Sequence, residues 1–488
     1  MKCLSESKNR LKHYLVVIAC VFASMLIFAG CTSPIYPHYT CLDSSMFLLT
    51  GKGILEGKIC YIDLFDHKGP VFFWLEAIGC AIGGRTGVWI LQCLFATVDI
   101  ILIEKICEKL NAKAFLAILS SAAVFFYTFS HGNLTEELSM PLILLAVYLE
   151  VEFLASGKST HNPIYAFIYG IIIGVLALIR INNAISICLL VICIGIILVK
   201  EKQWGNILLN FAAGLVGIAV AVLPVCLYFY EYNALDDMLY ATFLHNLIYA
   251  KESTHESIFS RHFAKFVLLY STGFFAVVTF AKKAKAENKR LYLSLAATSV
   301  VTYAMLIYSN VYEHYFTLGI PVFAIAVVCA FPDYKVKNIK TLFKREKFKS
   351  IALATIVCSF ALMSIYSAGA PLYKTYISGS ANEQYAIIND SMKVVPDEER
   401  DSVIGYNVPP DFYVHAGVTP CYKYYTLQKW MTTDIRDVNG ECIEYMANEH
   451  PLWIITTSDE QDDNVISVLV DYTLAASDDN YNYYRYKE

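Results

Sequence analysis

The chain has 488 residues, of which 57% are hydrophobic and 17% charged, and its mean hydropathy is +0.48. A soluble core of this length could not bury so much apolar surface, so the composition excludes an ordinary soluble protein and indicates a bilayer as the main solvent. The net charge of −5 is small, and there is no basic patch of the kind that nucleic-acid binding requires.

Eleven apolar segments approach the ~20 residues that a spanning helix needs. In chain order they are 14–30, 88–107, 115–130, 138–155, 164–180, 184–199, 207–230, 263–281, 291–309, 315–331 and 351–367. The apolar stretch that ends at Cys31 is also similar to a lipoprotein cleavage site, but the helices that follow favour a bundle that keeps its first helix. Many of the 15 cysteines lie in apolar runs, where a free thiol behaves as a small hydrophobe.

Lysine and arginine predict the orientation of these segments. Basic residues precede the first segment, five lie in the linker 282–290 and seven in the linker 335–349, whereas the loops 131–137 and 310–314 contain none. Because cytoplasmic loops are enriched in Lys and Arg, we predict a multi-pass protein of the plasma membrane with a cytoplasmic N-terminus.

Two short apolar stretches do not fit as spans. The stretch 70–83 has 14 residues, and counting it as a span would place every later basic linker outside. We therefore predict that 70–83 and 43–55 form two helices at the outer interface, with Phe72, Phe73 and Trp74 as interfacial anchors.

The composition becomes polar near residue 371. Short β-rich runs at 402–406, 452–457, 466–472 and 481–486 alternate with helix-like stretches. The predicted domains are therefore a membrane domain at 1–370, with its first outer loop at 31–86, and a small extracytoplasmic α/β domain at 371–488.

Carboxylates gather at the predicted outer membrane surface, where ionisable groups are functional candidates. They are Asp43, Asp63, Asp66, Glu136, Glu137 and Glu313, and the cationic candidates beside them are His67, Lys68, Arg180 and His314. A base next to cations suits glycosyl transfer from a polyprenyl-phosphate sugar: the carboxylate takes the acceptor proton and the cations hold the phosphate leaving group. Neither a P-loop nor a GxGxxG turn after a strand is present, which agrees with a lipid-linked donor.

The run at 43–79, DSSMFLLTGKGILEGKICYIDLFDHKGPVFFWLEAIG, resembles the first outer loop of bacterial GT-C glycosyltransferases. These are the family 39, protein mannosyltransferase-like proteins of the aminoarabinose transferase and RgtA/B/C/D-like group. The pieces GNLTEEL (132–138), ALIRINN (177–183) and EHYFTLGIP (313–321) are similar to the same group.

The resemblance implies a GT-C fold with about 11 transmembrane helices and two outer interfacial helices. It implies Asp43 as the catalytic base, Asp66 with Lys68 as an acidic–lysine pair near the lipid phosphate, and Glu136 as a second acidic site. The group often has Asp-Glu where this chain has Asp43 and Ser44, which leaves a contact to a divalent metal open.

The sequence hypothesis is an inverting glycosyltransferase that moves a sugar from a polyprenyl phosphate to an extracytoplasmic cell-wall polymer, lipid-linked glycan or protein. Asp43 is the predicted base. The predicted donor-phosphate residues are Asp66, His67, Lys68, Arg180 and His314, and the second acidic site is Glu136 with Glu137. No cofactor is predicted with certainty, and a divalent metal remains possible.

Plainer interpretations stay open. Asp43 could cap a helix, His67 and Lys68 could snorkel, and Glu136 with Glu137 could serve a helix dipole. A flippase or transporter of lipid-linked saccharides would place charges at the bilayer midplane, which in this sequence is almost purely apolar. A polymerase or ligase would use a large late outer loop, for which 231–262, with His245 and Arg261, is the candidate.

Overall fold

The computed structural model describes residues 2–252, 263–307, 312–332, 347–427 and 437–487. Arg261, positions 310–311 of a predicted outer loop and most of the basic linker 335–349 therefore lie outside the described residues.

Helices dominate the described chain. In chain order, the helices of the first part are α1 Lys2–Phe28, α2 Leu42–Leu55, α3 Pro70–Lys109, α4 Phe115–Thr128, α5 Thr135–Ala155, α6 Pro163–Arg180, α7 Ile185–Lys200, α8 Trp204–Glu231, α9 Leu235–Leu239, α10 His245–Glu252, α11 Phe263–Ala286, α12 Lys289–Ile307 and α13 Ile320–Ala330. The later helices are Lys347–Leu372, Ser380–Ser391, Pro410–Ala416, Val438–Glu449 and Asp463–Leu469.

Eight helical stretches in the described part of the chain are long and apolar enough to cross a membrane. The difference from eleven predicted segments has three causes: α6 and α7 form one stretch, α4 has only 14 residues, and α12 is not among the eight. The chain is thus a multi-pass membrane protein, and each of the eleven predicted segments lies largely within helix over its described residues.

The predicted break between 70–83 and 88–107 is a sharp reversal inside α3. Gly83 and Gly84 have non-helical backbone angles, and Gly84 has a φ of 59°. In a continuous helix, residues 79 and 87 would lie about 12 Å apart. Instead, a Cβ on Gly87 would overlap the carbonyl oxygen of Gly79, so the two halves of α3 pack against each other.

A disulfide and an arginine fix the start of the first loop. Cys31 is bonded to Cys41. The guanidinium of Arg85 donates to the carbonyl oxygens of Gly30, Cys31, Pro37 and Tyr39 at 2.5 to 2.8 Å. Because the sulfur of Cys31 is in the disulfide, it is not the lipid-bearing atom of a lipoprotein, and that alternative was wrong.

We expect Cys31→Ser to lower the stability of the first loop. Closing a loop of about ten residues contributes ~3 kcal/mol in the chain-entropy description of disulfides. Thermal unfolding in detergent should therefore begin at a lower temperature in Cys31→Ser, while Cys20→Ser, which alters a free and exposed thiol, is the control. Equal unfolding temperatures for both variants would contradict the prediction.

A four-stranded sheet organises the C-terminal part. Its strands are β1 Val403–Tyr406, β2 Trp453–Thr457, β3 Tyr472–Ser477 and β4 Tyr481–Tyr486, in the order β1-β2-β4-β3. β1 pairs in parallel with β2, and the other pairs are antiparallel. The sequence prediction of a strand at 466–472 was wrong, because these residues lie mostly in and just after the helix Asp463–Leu469. Asp462 caps this helix by accepting a hydrogen bond from the N–H of Asn464, and one helical face is buried through Val465 and Val468.

The described chain forms two compact units. The first contains Met1–Ala29, Leu91–Val225 and Thr254–Gly369, and the second contains Gly30–Ile90, Cys226–Ser253 and Ala370–Glu488. In the first unit, every residue of α13 is buried. The prediction that the bilayer midplane is almost purely apolar was incomplete, because spanning helices bury carboxyl groups in this unit, Asp99 on α3 and Glu150 on α5.

Candidate functional site

The second unit contains Asp43 in the first turn of α2. The helix begins at Leu42, and Cys41 occupies the N-cap position, so the alternative role of Asp43 as N-cap was wrong. Asp43 is exposed, whereas the residues that follow it from Ser44 to Gly51 are buried. A Cβ on Gly51 would meet the backbone of Glu76 at 2.8 Å, so a close crossing with α3 fixes the position of α2.

Asp66, His67 and Lys68 form a buried polar cluster in the same unit, with side chains at most 11% exposed. The Lys68 ammonium lies 2.9 Å from Nε2 of His67 and 3.9 Å from Oδ1 of Asp66. Oδ1 of Asp66 also accepts from the backbone N–H of Lys68 at 3.0 Å. The ammonium lies 5.5 Å from the ring centre of Phe47, within cation–π range. Three of the five residues that the sequence nominated for the donor phosphate therefore lie together here, and that role stays a prediction.

One residue of the same loop and one from a distant part of the sequence hold the backbone of this cluster. The Tyr61 hydroxyl donates to the carbonyl oxygen of Lys68 at 2.9 Å, and the side-chain amide of Asn246 donates to that of His67 at 2.8 Å. The ring of His245 lies 5.7 Å from that of His67. Sequence reasoning missed both residues: Tyr61 carries no charge that would single it out within the loop, and only the fold brings Asn246 to it.

Burial dominates the electrostatics of Asp66. Desolvation raises the pKa of its carboxyl above the ordinary value, while the charge of Lys68 and hydrogen bonds from the backbone oppose the shift. The negative charge of Asp43 raises this pKa further, so the two carboxylates lie within electrostatic range of each other. The carboxyl groups of Asp66 and Asp43 and the ammonium of Lys68 thus interact electrostatically within the second unit.

The first unit contains another ionic cluster, centred on Arg180. Its guanidinium donates to Oε1 of Glu136 and to the hydroxyl of Tyr315, each at 2.7 Å. The guanidinium carbon lies 4.4 Å from the centre of the Tyr315 ring, and the ring of His314 lies 4.4 Å from the same ring. Arg180, Glu136 and His314, which the sequence nominated separately, therefore meet at Tyr315, which it did not nominate.

Glu137 has a different environment from its neighbour. Its Oε1 accepts from the side-chain amide of Gln92 at 2.6 Å and from the backbone N–H of Leu134 at 3.0 Å. The second bond is half of a capping box at the start of α5. The dipole or capping interpretation thus describes Glu137 better than Glu136, whose carboxylate pairs with Arg180.

A left-handed turn precedes these two glutamates. Ser130, His131, Gly132 and Asn133 all have positive φ, and a Cβ on Gly132 would come within 2.5 Å of the ring of Phe129. Residues other than glycine are strained in this region of backbone space, and such strain clusters at functional sites. Only the three residues other than glycine carry that cost, since glycine adopts positive φ readily.

The remaining nominated carboxylates have partners outside these clusters. Oδ2 of Asp63 accepts from the backbone N–H of Ile59 at 2.6 Å, and Glu313 pairs with Lys265. Among the described residues, no group of three or more His, Cys, Asp or Glu side chains is placed to hold a metal ion. Binding of a divalent metal therefore stays a prediction from the sequence.

Solved structures resemble the chain over nearly its whole length. The crystal structure of ArnT from Cupriavidus metallidurans bound to undecaprenyl phosphate has a TM-score of 0.63 at 11% identity, and 98% of each chain is covered. The structure of the same protein in the apo state has a TM-score of 0.60 at 13% identity, with the same coverage. The GT-C fold of this aminoarabinose transferase is the fold of the present chain, as the sequence predicted.

Comparisons of sequence give one match. No curated protein sequence matches the chain. Residues 5–373 match the family described as "Putative competence-induced protein Ccs4 N-terminal domain". Since the match extends from the first helix into the last candidate span and covers most of the chain, this protein belongs to the family of the Ccs4 N-terminal domain.

Proposed function

We propose that this protein is an inverting glycosyltransferase that moves a sugar from a polyprenyl phosphate to an extracytoplasmic acceptor. The observation that carries the proposal is the arrangement in the second unit, where exposed Asp43 lies within electrostatic range of the buried Asp66–Lys68 pair. The fold is that of ArnT, which has been crystallised with undecaprenyl phosphate, and this supports a lipid phosphate as part of the donor.

Exposure distinguishes the roles of the two carboxylates. Asp43 is open to solvent and free to approach an acceptor hydroxyl, whereas the Asp66 side chain is 2% exposed and is held against Lys68. A general base must reach the proton that it removes, so this role falls to Asp43. Asp66 instead holds the lysine, whose ammonium attracts the phosphate of the donor.

The reaction is a single displacement. The acceptor oxygen attacks the anomeric carbon of the sugar, and its proton passes to the Asp43 carboxylate. The bond between the anomeric carbon and the phosphate oxygen breaks, and its electron pair stays on the phosphate. Lys68 and His67 would stabilise the charge that grows on that oxygen, and attack opposite the leaving group inverts the anomeric configuration.

In the proposal, the Arg180 cluster also serves the lipid-linked donor. Arg180 and His314 are cationic candidates for the donor phosphate, and Glu136 and Glu137 form the proposed second acidic site. Arg180 is already bonded to Glu136 and Tyr315, so its guanidinium is fixed before any ligand binds. Fixed donors bind anions at a lower entropic cost than mobile ones, which supports a positioning role for Glu136 and Tyr315.

The proposed location also follows from chemistry in the first loop. Disulfides persist mainly in oxidising compartments, so the Cys31–Cys41 bond supports an extracytoplasmic position for residues 31–86. The proposal places the N-terminus in the cytoplasm and the C-terminal domain, residues 371–488, outside the plasma membrane. Cysteines introduced at the exposed positions Ser380 and Lys285 would test it with a membrane-impermeant maleimide on intact cells, since only the first site should react.

A direct assay separates the proposal from its rival. The purified protein is incubated with a panel of polyprenyl-phosphate sugars and with cell-envelope acceptors, and released polyprenyl phosphate is measured. A transferase releases the lipid phosphate and labels an acceptor, whereas a flippase or transporter moves the intact lipid-linked sugar. Movement across liposomes without cleavage of any donor would contradict the proposal.

The raised pKa of Asp66 predicts an acid limb in the pH profile. As the pH falls through this pKa, the carboxylate takes a proton and loses its attraction for Lys68, so activity should fall at a pH above the ~3.9 of an ordinary Asp. Because the pKa is higher in the folded state, ionising Asp66 lowers stability, and this cost develops as the pH rises through the folded pKa.

The measurement is kcat/KM against pH for wild type and Asp66→Asn. The variant should be less active and should lack this acid limb. Asp63→Asn is the control, because Asp63 lies in the same loop and binds a backbone N–H rather than Lys68. An unchanged acid limb in Asp66→Asn would assign it to another group.

A further inference from the structure

A groove in the first unit is unrelated to either ionic cluster. It lies among α1, α3 and α4 and has a volume of about 640 Å³, within the ~300–1,000 Å³ typical of small-ligand sites. Its walls are almost entirely apolar, with Val21, Ile100 and Phe126 among them. Because α1 is mostly exposed along its apolar length, the groove borders the bilayer.

One end of the groove is charged and has an excess of positive charge. His13, Glu104 and Lys113 line this end. Nε2 of His13 lies 2.7 Å from Oε1 of Glu104, so this carboxylate already has a hydrogen-bond partner. Lys113 is exposed, and the positive charge of Arg10 also acts at this end of α1 and α3. The groove thus has one cationic end and an apolar interior, the polarity of an anionic lipid.

Asp99 lies between these two regions. It lines the groove five residues before Glu104, which corresponds to about 7.5 Å along α3. It is 8% exposed, and its Oδ1 has no hydrogen-bond partner among the described residues. A buried polar atom without a partner costs free energy, so such an atom is expected to meet a ligand or a water molecule.

We propose that this groove binds one anionic glycerophospholipid. Its phosphate lies at Lys113 and His13, its ester groups lie at the depth of Asp99, and its hydrocarbon chain follows Ala96 and Val21, which are farther along α3 and α1 from the charged end. A carboxyl group buried among apolar side chains is neutral, because burial disfavours its charged form, and it donates one O–H hydrogen bond that an ester carbonyl accepts. This order of cation, hydrogen-bond donor and apolar wall matches the order of groups in a glycerophospholipid, whereas a polyprenyl phosphate has no ester carbonyl to meet Asp99.

The test measures lipid bound to the full-length protein. The protein is reconstituted in nanodiscs that contain equal amounts of phosphatidylglycerol and phosphatidylcholine, then released and examined by native mass spectrometry. The wild type should retain one phosphatidylglycerol in preference to phosphatidylcholine. Ala122→Trp, which fills the groove, should reduce this retention about tenfold or more, since ~1.4 kcal/mol of lost contact has that effect.

Ala212→Trp is the matched control, because Ala212 is an exposed position of α8 outside the groove. Leu119→Trp, at a half-exposed position of the groove wall, repeats the test if Ala122→Trp fails to fold. Lys113→Gln should weaken the preference for phosphatidylglycerol about fivefold, the effect of one basic residue near a lipid headgroup.

Three outcomes would overturn the proposal. The first is equal lipid retention in Ala122→Trp, Leu119→Trp and Ala212→Trp. The second is retention of added undecaprenyl phosphate in place of phosphatidylglycerol, and the third is a protein subunit that co-purifies through the groove instead of a lipid. None of these readouts uses transfer activity, so they stand or fall independently of the proposed reaction.

Discussion

Asp43→Asn should lower the rate of sugar transfer by about 10²–10⁴-fold, the usual contribution of a general base. Asparagine has nearly the same size as aspartate but cannot take the acceptor proton. Asp43 is exposed in the first turn of α2, and the crossing of Gly51 with α3 fixes the helix, so folding should not change. The measurement is single-turnover release of polyprenyl phosphate with a saturating donor, which separates chemistry from binding.

Asp236→Asn is a matched control for this variant. Asp236 is also an exposed aspartate in the first turn of a helix, α9, of the same unit. Among the described residues, no hydrogen bond or ion pair joins it to Asp66 or Lys68. Its substitution should leave turnover within about twofold, because exposed changes away from a site have small effects. Full turnover in Asp43→Asn, with normal dependence on the donor, would show that another group is the base.

Arg180→Met should destabilise the first unit by about 3–5 kcal/mol, the cost of leaving a buried charge without its partner. The Glu136 side chain is 2% exposed and its Oε1 loses the guanidinium, while the Tyr315 hydroxyl loses its donor. The expected result is a clear fall in the temperature of thermal unfolding, measured in detergent by intrinsic fluorescence.

The double variant Glu136→Gln with Arg180→Met should recover part of the loss, because no carboxylate then remains without a cation. Coupling energies within one ionic network are about 0.5–3 kcal/mol, which such a cycle can resolve. The stability of Arg180→Lys should fall between those of the wild type and Arg180→Met. An ammonium keeps the charge but loses the planar fork that reaches Glu136 and Tyr315 together. Additive effects of the two single changes would contradict the pairing.

Local sequence was sufficient for much of the fold. The apolar segments predicted the helices because length and composition determine what can cross a bilayer. The basic linkers predicted the orientation of these helices. The apolar stretch before Gly83 was separated from the following span by length and charge alone, and the structure breaks the helix at that point. The short run after Asp462 was misassigned because an apolar run of this length does not distinguish a strand from a helix without its cap.

The candidate site was predictable only where its residues adjoin in sequence. Asp66, His67 and Lys68 are consecutive, so their proximity needed no knowledge of the fold. Tyr315 and Asn246 lie far along the chain from the residues that they bind, and polar side chains of this kind are common in loops. Their roles follow from tertiary contacts, which no local pattern in a single sequence specifies.

The four carbonyl contacts of Arg85 have a consequence for biogenesis. The arginine that orders residues 30–39 is synthesised 54 residues after Cys31, so a nascent chain cannot complete this structure until the segment through Arg85 has reached the same side of the membrane. The Cys31–Cys41 pair should then be protected from reduction only in longer translation intermediates. The resistance of this disulfide to a mild reductant, measured in translation intermediates of increasing length, would show at which chain length the first loop is completed.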